Sequence, residues 1–594
     1  MSKRFMQFAA ALLATAMLVP TAGAIRTDNN GRQMIRVGLA SSSSHNATGE
    51  LASAHLQNNS GFGAGYRFGY YDSNLNFIEL GRTGKGVTEV AVLKTQNMYY
   101  RYDSSAGKYT YSDSITSNIV VGCYHIQMPG SYATYENAAA DAAIYGGFVA
   151  WINGSYQVRV GAYQSKAGAE GALATMPQGS IVGTSSYGMS VVETGGNKIL
   201  FQFDGGGNRA LGILPDVTGA SDVRTWFQGF KYRGGFTYQR VSGGNLTVVN
   251  VIELENYVKG VVCYEMGREW PLEALKTQAV CARTYALRRL DYHNSLGFDV
   301  CNSDSCQVYR GVGNNSSSYG ASAVSDQAVN ETAGQVLWYK NMLAETFYSS
   351  SHGGASESAY HIWGTDITKY PYLRGVIDPY EQTIADRNSY SSWTVSYSAA
   401  ELTTRLQGYG FGTNTSISRL ELTYSELGNV IQVKICYANG QSNTITPRTK
   451  PRAIRALFGV NSIRFTVNGQ TVSVVPPTPG GSHSINGGTG TISGLDGIYV
   501  ITGNGATAAI GNDPYVISGK GSTGALNTDD ADTGGRNEGG GMVVVSGSSY
   551  VFKGSGWGHQ VGMSQFGANA MARLGFAYDD ICEFYFPGTQ VGPY

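Results

Sequence analysis

The sequence predicts an α+β protein, rich in short β-strands, with a few helices and more than one folding unit. Three observations carry this. Segments such as Ile35-Arg36-Val37-Gly38-Leu39 and Glu89-Val90-Ala91-Val92-Leu93 are short apolar or alternating runs bounded by Gly- and Tyr-rich stretches, the signature of strands. From Ile119 to Met176 the periodicity switches twice from two to about 3.6, giving the order β-α-β-β-α. Pro271 opens a long helix whose Leu272, Leu275, Ala279, Ala282 and Ala286 fall on one face. At 594 residues the chain exceeds one ordinary compact core.

The elements follow in order. Lys3 and Arg4, the apolar run Phe8 to Val19 and the small-residue site Thr21-Ala22-Gly23-Ala24 predict a secretory signal peptide over 1–24. No later run reaches the ~18 apolar residues that cross a bilayer. The mature chain is therefore expected to be secreted, extracytoplasmic and without a transmembrane segment. A β-rich segment, 35–115, comes next.

In 116–180, Cys123 to Met128 reads as a strand and Tyr135 to Ile144 as an Ala-rich helix. Gly147 to Trp151 and Tyr156 to Tyr163 are further strands, and Ala167 to Met176 a second helix. The phrase YQVRVGAYQSKAGAEGAL resembles the second half of SPOR domains, small peptidoglycan-binding modules of bacterial envelopes. That resemblance implies a ferredoxin-like insert binding glycan strands stripped of stem peptides.

Strands resume at Asp222, and Thr247 to Ile252 is a β-branched run. Pro476-Pro477-Thr478-Pro479-Gly480-Gly481-Ser482 opens a Gly/Ser/Thr-rich insertion, 476–549. The dense pattern of Phe552 to Tyr594 is too short for a core of its own. So 222–594 is expected to be one domain interrupted by that insertion.

Lys+Arg and Asp+Glu number 42 each, so no basic excess points to nucleic acid. With 14% charged residues, 80 Gly and 40 Tyr, the composition is polar, uncharged and aromatic, which suits sugars and also any β-rich exported protein.

Glu265 stands where an apolar strand ending in Val261-Val262 meets the Pro271 helix, beside Tyr264, Met266 and Trp270. A carboxyl in an apolar, aromatic site is biased towards its protonated form, and a protonated carboxyl is what a glycosidic leaving oxygen needs. Read by itself, a Glu before a helix is more often a cap or a solvated charge. Glu269 and Glu273 are read as such helix-start charges.

Three long segments alter that balance: VVCYEMGREWPLEALKTQAVCARTYAL; FYSSSHGGASESAYHIWG with YPYLRGVIDP; and GSGWGHQVGMSQFGANAMARLGFAYDDICEFYFPGT. Together with PRAIRALFGVNSIRFTV they resemble the SpoIID/LytB family, over most of the chain beyond residue 230. The resemblance implies lytic transglycosylation of peptidoglycan with Glu265 as the catalytic acid. One carboxyl suffices: it protonates the leaving oxygen, then deprotonates the muramoyl 6-hydroxyl, leaving a 1,6-anhydro end. Because LytB-type members are named as enhancers of a cell-wall amidase, an amidase partner and a glycan-binding, non-catalytic role form the alternative.

Substrate contacts are expected from Gln278, Arg283 and Tyr285 on the helix, and from Ser350, His352, Gly353 and Gly354 in the small-residue loop. His559, Ser564 and Gln565 in the last motif complete the set. His352, Trp557 and Gln560 depart from what the family usually carries there.

Seven cysteines are too sparse for a disulfide scaffold. Cys301 and Cys306 sit where some relatives hold zinc with two Cys and one His, but Ser305 replaces that His. Zinc, a local disulfide and free thiols all stay open at this point.

Overall fold

The computed structural model describes residues 25–470 and 541–594, apart from 59–64, 105–106, 177, 218–221, 241, 315–319, 413 and 449–451. Between 471 and 540 it describes only short strands. The predicted signal peptide lies outside the described residues. The fold is α+β and β-rich. The chain divides into two units: Met1–Phe227 with Gly234–Glu253 and Ala286–Cys306, and Gln228–Arg233 with Leu254–Tyr285 and Gln307–Tyr594. Among the described residues, no helix is long and apolar enough to cross a membrane.

The first unit holds two large sheets. In one, Gln33–Ala40 pairs antiparallel with Leu246–Glu253, the β-branched run of the sequence, and parallel with the short strand Val300–Cys301. In the other, four strands between residues 124 and 182 lie in the order Ser180–Val182, Tyr124–Gln127, Ser155–Tyr163, Phe148–Ile152. Helices Tyr135–Ile144 and Lys166–Leu173 connect them, capped by Thr134 and Ser165. This is the fourth-first-third-second order of a ferredoxin-like β-α-β-β-α-β unit. Its sheet does not end at its own edge: Phe148–Ile152 pairs parallel with Ile199–Asp204.

In the second unit, Leu254–Glu265 is a helix. The sequence reading of Val261-Val262 as the end of a strand is therefore corrected. Leu254, Tyr257, Val258, Val261 and Val262 are all buried, and their spacing is that of one helical face. Burying each such aliphatic side chain contributes roughly 1.5–3 kcal/mol, which outweighs the β-preference of valine. The second helix runs Leu272–Arg288, and the carbonyl of Pro271 accepts its first bond from Leu275 N–H at 3.2 Å. Within this unit, Phe465–Val467 and Trp393–Ser398 flank Ser549–Gly554 as antiparallel partners. Gly541–Val545, which the sequence reading placed inside the insertion, pairs with Ile417–Tyr424. Between 471 and 540 the described strands form three two-stranded hairpins, beginning at Ser482, Tyr499 and Tyr515.

Candidate active site

Glu265 is the last residue of its helix and is partly exposed. Its Oε1 accepts the backbone N–H of Val308 at 2.8 Å. The segment carrying Val308 is pinned on both sides. Tyr257 Oη donates to Gln307 Oε1 at 2.9 Å, and Gln307 Nε2 donates to Tyr348 Oη at 3.1 Å. Tyr309 is fully buried, its ring 5.0 Å from that of Tyr257. Gly260 makes room for it, since a Cβ there would lie 2.5 Å from the Tyr309 ring. Tyr257 and Gly260, on the helix of Glu265, thus clamp the segment that holds its carboxyl. Burial, then the Glu265 charge, pushes the Tyr348 hydroxyl well above its usual range, so it stays protonated.

Tyr348–Ser349 also joins the three sequence motifs. It pairs parallel with Met563–Ser564, with Tyr348 opposite Met563. Next to it, the Ser350 carbonyl accepts from Phe566 N–H at 3.0 Å, and Ser351 exchanges backbone bonds with Trp557 at 3.1 and 2.7 Å. Gln565 Nε2 donates to Gln278 Oε1 at 3.3 Å, tying the last motif to the first.

Several residues expected to contact substrate are buried, and some of them make internal hydrogen bonds. Arg283 is fully buried and makes a bidentate pair with Glu255, at 2.8 and 2.7 Å, plus a bond to the Gln335 carbonyl. Gln278 is equally buried, and Tyr285 is 8% exposed. Ser564 caps the helix Gln565–Arg573 and donates to Glu381 at 3.0 Å. His352 is buried with both ring nitrogens unbonded among the described residues, and burial pushes it well below its ordinary range. The Gly353 N–H donates to Glu381, and a Cβ at Gly353 would meet Ser555 at 2.3 Å, so this loop approaches protein rather than an open cleft. Beyond Glu265, Ser350, Gly353, Gly354 and His559 stay partly exposed. His559 Nδ1 accepts from Val561 N–H at 3.0 Å, and burial followed by the Arg455 charge lowers it to about 4.

Sequence reasoning missed Glu381. This buried carboxylate accepts from Ser351, His352, Gly353, Asn388 and Ser564. Its partners lie up to 183 residues away, and nothing in its local sequence marks it.

The first unit carries a second cluster. One donor atom each from His293, Cys301 and Cys306 lies within 4.8 Å of the others, with His293 Nε2 and Cys306 Sγ 3.4 Å apart. His293 supplies the imidazole that Ser305 cannot; its signal was a histidine eight positions before Cys301 in a chain with 8 histidines. All seven cysteines are free thiols, so the local disulfide is not formed. The hydrogen bond between the two thiols, foremost, holds Cys301 low and pushes Cys306 up. Two thiolates and one imidazole fit a tetrahedral zinc ion with an open fourth position. Asp299 precedes the strand Val300–Cys301 that carries Cys301, and its carboxylate accepts the Arg36 backbone N–H at 2.8 Å. Burial works to raise its carboxyl, but Arg36, 2.8 Å away, and Arg26 outweigh this and hold it below its usual range.

Residues 242–339 match the SpoIID family model, described as Stage II sporulation protein. An uncharacterized protein of Brachyspira hyodysenteriae is 31% identical over 43% of this chain and 64% of its own length. The amidase enhancer of Bacillus subtilis is 28% identical over 57% of this chain. Stage II sporulation protein D of the same organism is 27% identical over 58% of this chain and 76% of its own length. The chain spans 64% and 40% of the first two relatives. Residues 242–339 thus carry a SpoIID domain, and the chain is similar beyond it to sporulation protein D and amidase-enhancer proteins.

Proposed function

We propose that this protein is an exported peptidoglycan lytic transglycosylase that cleaves the β-1,4 bond between N-acetylmuramic acid and N-acetylglucosamine. The observation that carries this reading is Glu265 itself: a partly exposed carboxyl with one oxygen fixed by a backbone amide, inside the family's own motif. With Oε1 accepting from Val308, the transferable proton sits on Oε2. That proton goes to the leaving O4 as the C1–O4 bond breaks. The carboxylate then takes the proton of the muramoyl 6-hydroxyl as its oxygen bonds to C1, closing the anhydro ring. No second carboxylate and no water are consumed, unlike paired-carboxyl hydrolysis. Ser350, Gly353, Gly354 and His559, all partly exposed, are the remaining candidates for substrate contact.

The ferredoxin-like unit at 124–182 and its SPOR-like phrase support binding of glycan without stem peptides. A zinc ion would be held by His293, Cys301 and Cys306 and would act there as a structural tie or Lewis acid.

The amidase-enhancer relative supports one other reading, in which the protein binds glycan and a partner amidase cuts. The two readings separate when pure protein is incubated with amidase-stripped glycan strands. New anhydro ends without any amidase favour the lyase; binding without new ends, together with faster cutting by an added amidase, favours the enhancer.

A further inference from the structure

A row of aromatic rings begins at the turn that follows Glu265. Trp270 lies five residues beyond it, and its backbone N–H closes that turn on the Gly267 carbonyl at 3.0 Å. The Trp270 ring is 5.0 Å from Phe566, Phe566 is 6.2 Å from Tyr390, and Tyr390 is 5.0 Å from Trp557. Trp270, Phe566 and Tyr390 are partly exposed, and Trp557 is 42% exposed.

The backbone of Trp557 is held firmly although its side chain is exposed. It sits between Gly556 and Gly558, both at positive φ. A Cβ at Gly556 would lie 2.8 Å from the Ser351 carbonyl oxygen, and one at Gly558 would lie 2.4 Å from Ser349 Cβ. Two backbone bonds to Ser351 fix the residue itself, and Gly556 N–H donates to the Tyr390 carbonyl at 2.8 Å. The glycines are therefore required by close backbone packing, and the outcome of that packing is an indole presented to solvent. A large apolar ring gains most by burial, so a rigid, exposed one is a feature to explain. Its loop, Gly554-Ser555-Gly556-Trp557-Gly558, carries no charge. A neutral ligand with apolar ring faces and many hydroxyls fits such a surface, and a fixed ring loses little freedom when a ligand stacks on it.

We infer that Trp270, Tyr390 and Trp557 form stacking subsites for successive sugar rings of a glycan strand, with Trp557 the outermost and Phe566 the spacer between Trp270 and Tyr390. The inference rests on the glycan-cleaving reading of Glu265 and adds where the strand lies and which residues select for its length.

The test uses the full chain carrying Glu265→Gln, which prevents turnover, with and without Trp557→Ala, Trp557→Phe or Tyr390→Ala. Calorimetric titration with amidase-stripped GlcNAc–MurNAc oligomers of increasing length reads affinity. Trp557→Ala should weaken the longest oligomers about ten-fold and leave the disaccharide unchanged, while Trp557→Phe should stay within about three-fold of the parent. Equal affinity of parent and Trp557→Ala at every length, an equal loss at every length, or a parent that binds no oligomer would overturn the inference. Should Trp557→Ala lower the melting temperature, Trp557→Phe and Tyr390→Ala carry the same length comparison. A wild type that makes no anhydro ends but keeps the Trp557-dependent length effect removes the lyase reading and leaves the aromatic site standing. The converse result removes the site alone.

Discussion

Two glutamates in the same unit differ in a way that separates chemistry from architecture. Glu381 is 3% exposed and serves five donors on the loop Ser351–Gly353, on Asn388 and on Ser564. Burial, and then the neighbouring Asp378, pushes its carboxyl above the usual range. Glu265 ends a helix, is partly exposed and has one oxygen steadied by Val308. A carboxyl raised by burial is found at Glu381 and equally at its neighbour Asp378. Under the proposed function it is exposure that favours Glu265, because a general acid has to reach the oxygen it protonates. Glu381 instead holds the second motif against the third.

The largest effects should fall where the two carboxylates diverge. Glu265→Gln should lower release of anhydro ends at least ~100-fold at unchanged melting temperature, since general acid–base groups contribute 10²–10⁴. Glu381→Gln should do the reverse. It should cost about 3 kcal/mol in a denaturant titration, because an amide cannot serve five donors, while the folded fraction keeps its turnover. Equal loss of activity and stability in both variants would erase the distinction.

The supports come next. Arg283→Met leaves Glu255 without its bidentate partner and should cost about 3–5 kcal/mol by the same titration. Gly260→Ala gains helix propensity but places a Cβ 2.5 Å from the buried Tyr309 ring and 2.8 Å from the Gly311 carbonyl. The clash should dominate at about 1–3 kcal/mol, and by shifting Val308 it should lower kcat more than it raises KM. A Gly260→Ala enzyme with normal kcat would show that the Tyr309 clamp does not position Glu265.

The smallest effect is a slope. His559 binds its proton in the folded state only near pH 4, against 6.5 for the unconstrained ring. The unfolded chain therefore holds more protons between those values, and stability falls as pH drops from about 6.5 to about 4. Buried His55, His125 and His352 are lowered in the same way, so thermal melts across that window should become shallower in His559→Gln without becoming flat, and an unchanged slope would remove His559 as a contributor.

Much of this was legible in the sequence, and the exceptions have physical causes. The Pro271 helix and the repeated β-α pattern at 116–180 announced themselves by periodicity. The helix Leu254–Glu265 did not, because it follows directly on the β-branched run Thr247 to Ile252 and repeats its valines. The spacing Leu254, Tyr257, Val258, Val261, Val262 was the signal that distinguishes it. Arg283, His352 and Ser564 read as cleft residues because polar side chains in a family motif suggest contact with substrate. Their partners Glu255 and Glu381 sit 28 to 183 residues away, where local sequence gives no warning. His293 was overlooked for the same reason: a turn rather than a fixed spacing brings it to Cys306.

Product analysis in heavy-oxygen water is the most direct test of a single carboxyl working without water. Purified wild type acting on amidase-stripped glycan strands should yield 1,6-anhydro ends with no heavy oxygen, and Glu265→Gln should yield none. Labelled reducing ends from the wild type, or the same anhydro ends from Glu265→Gln, would contradict the account.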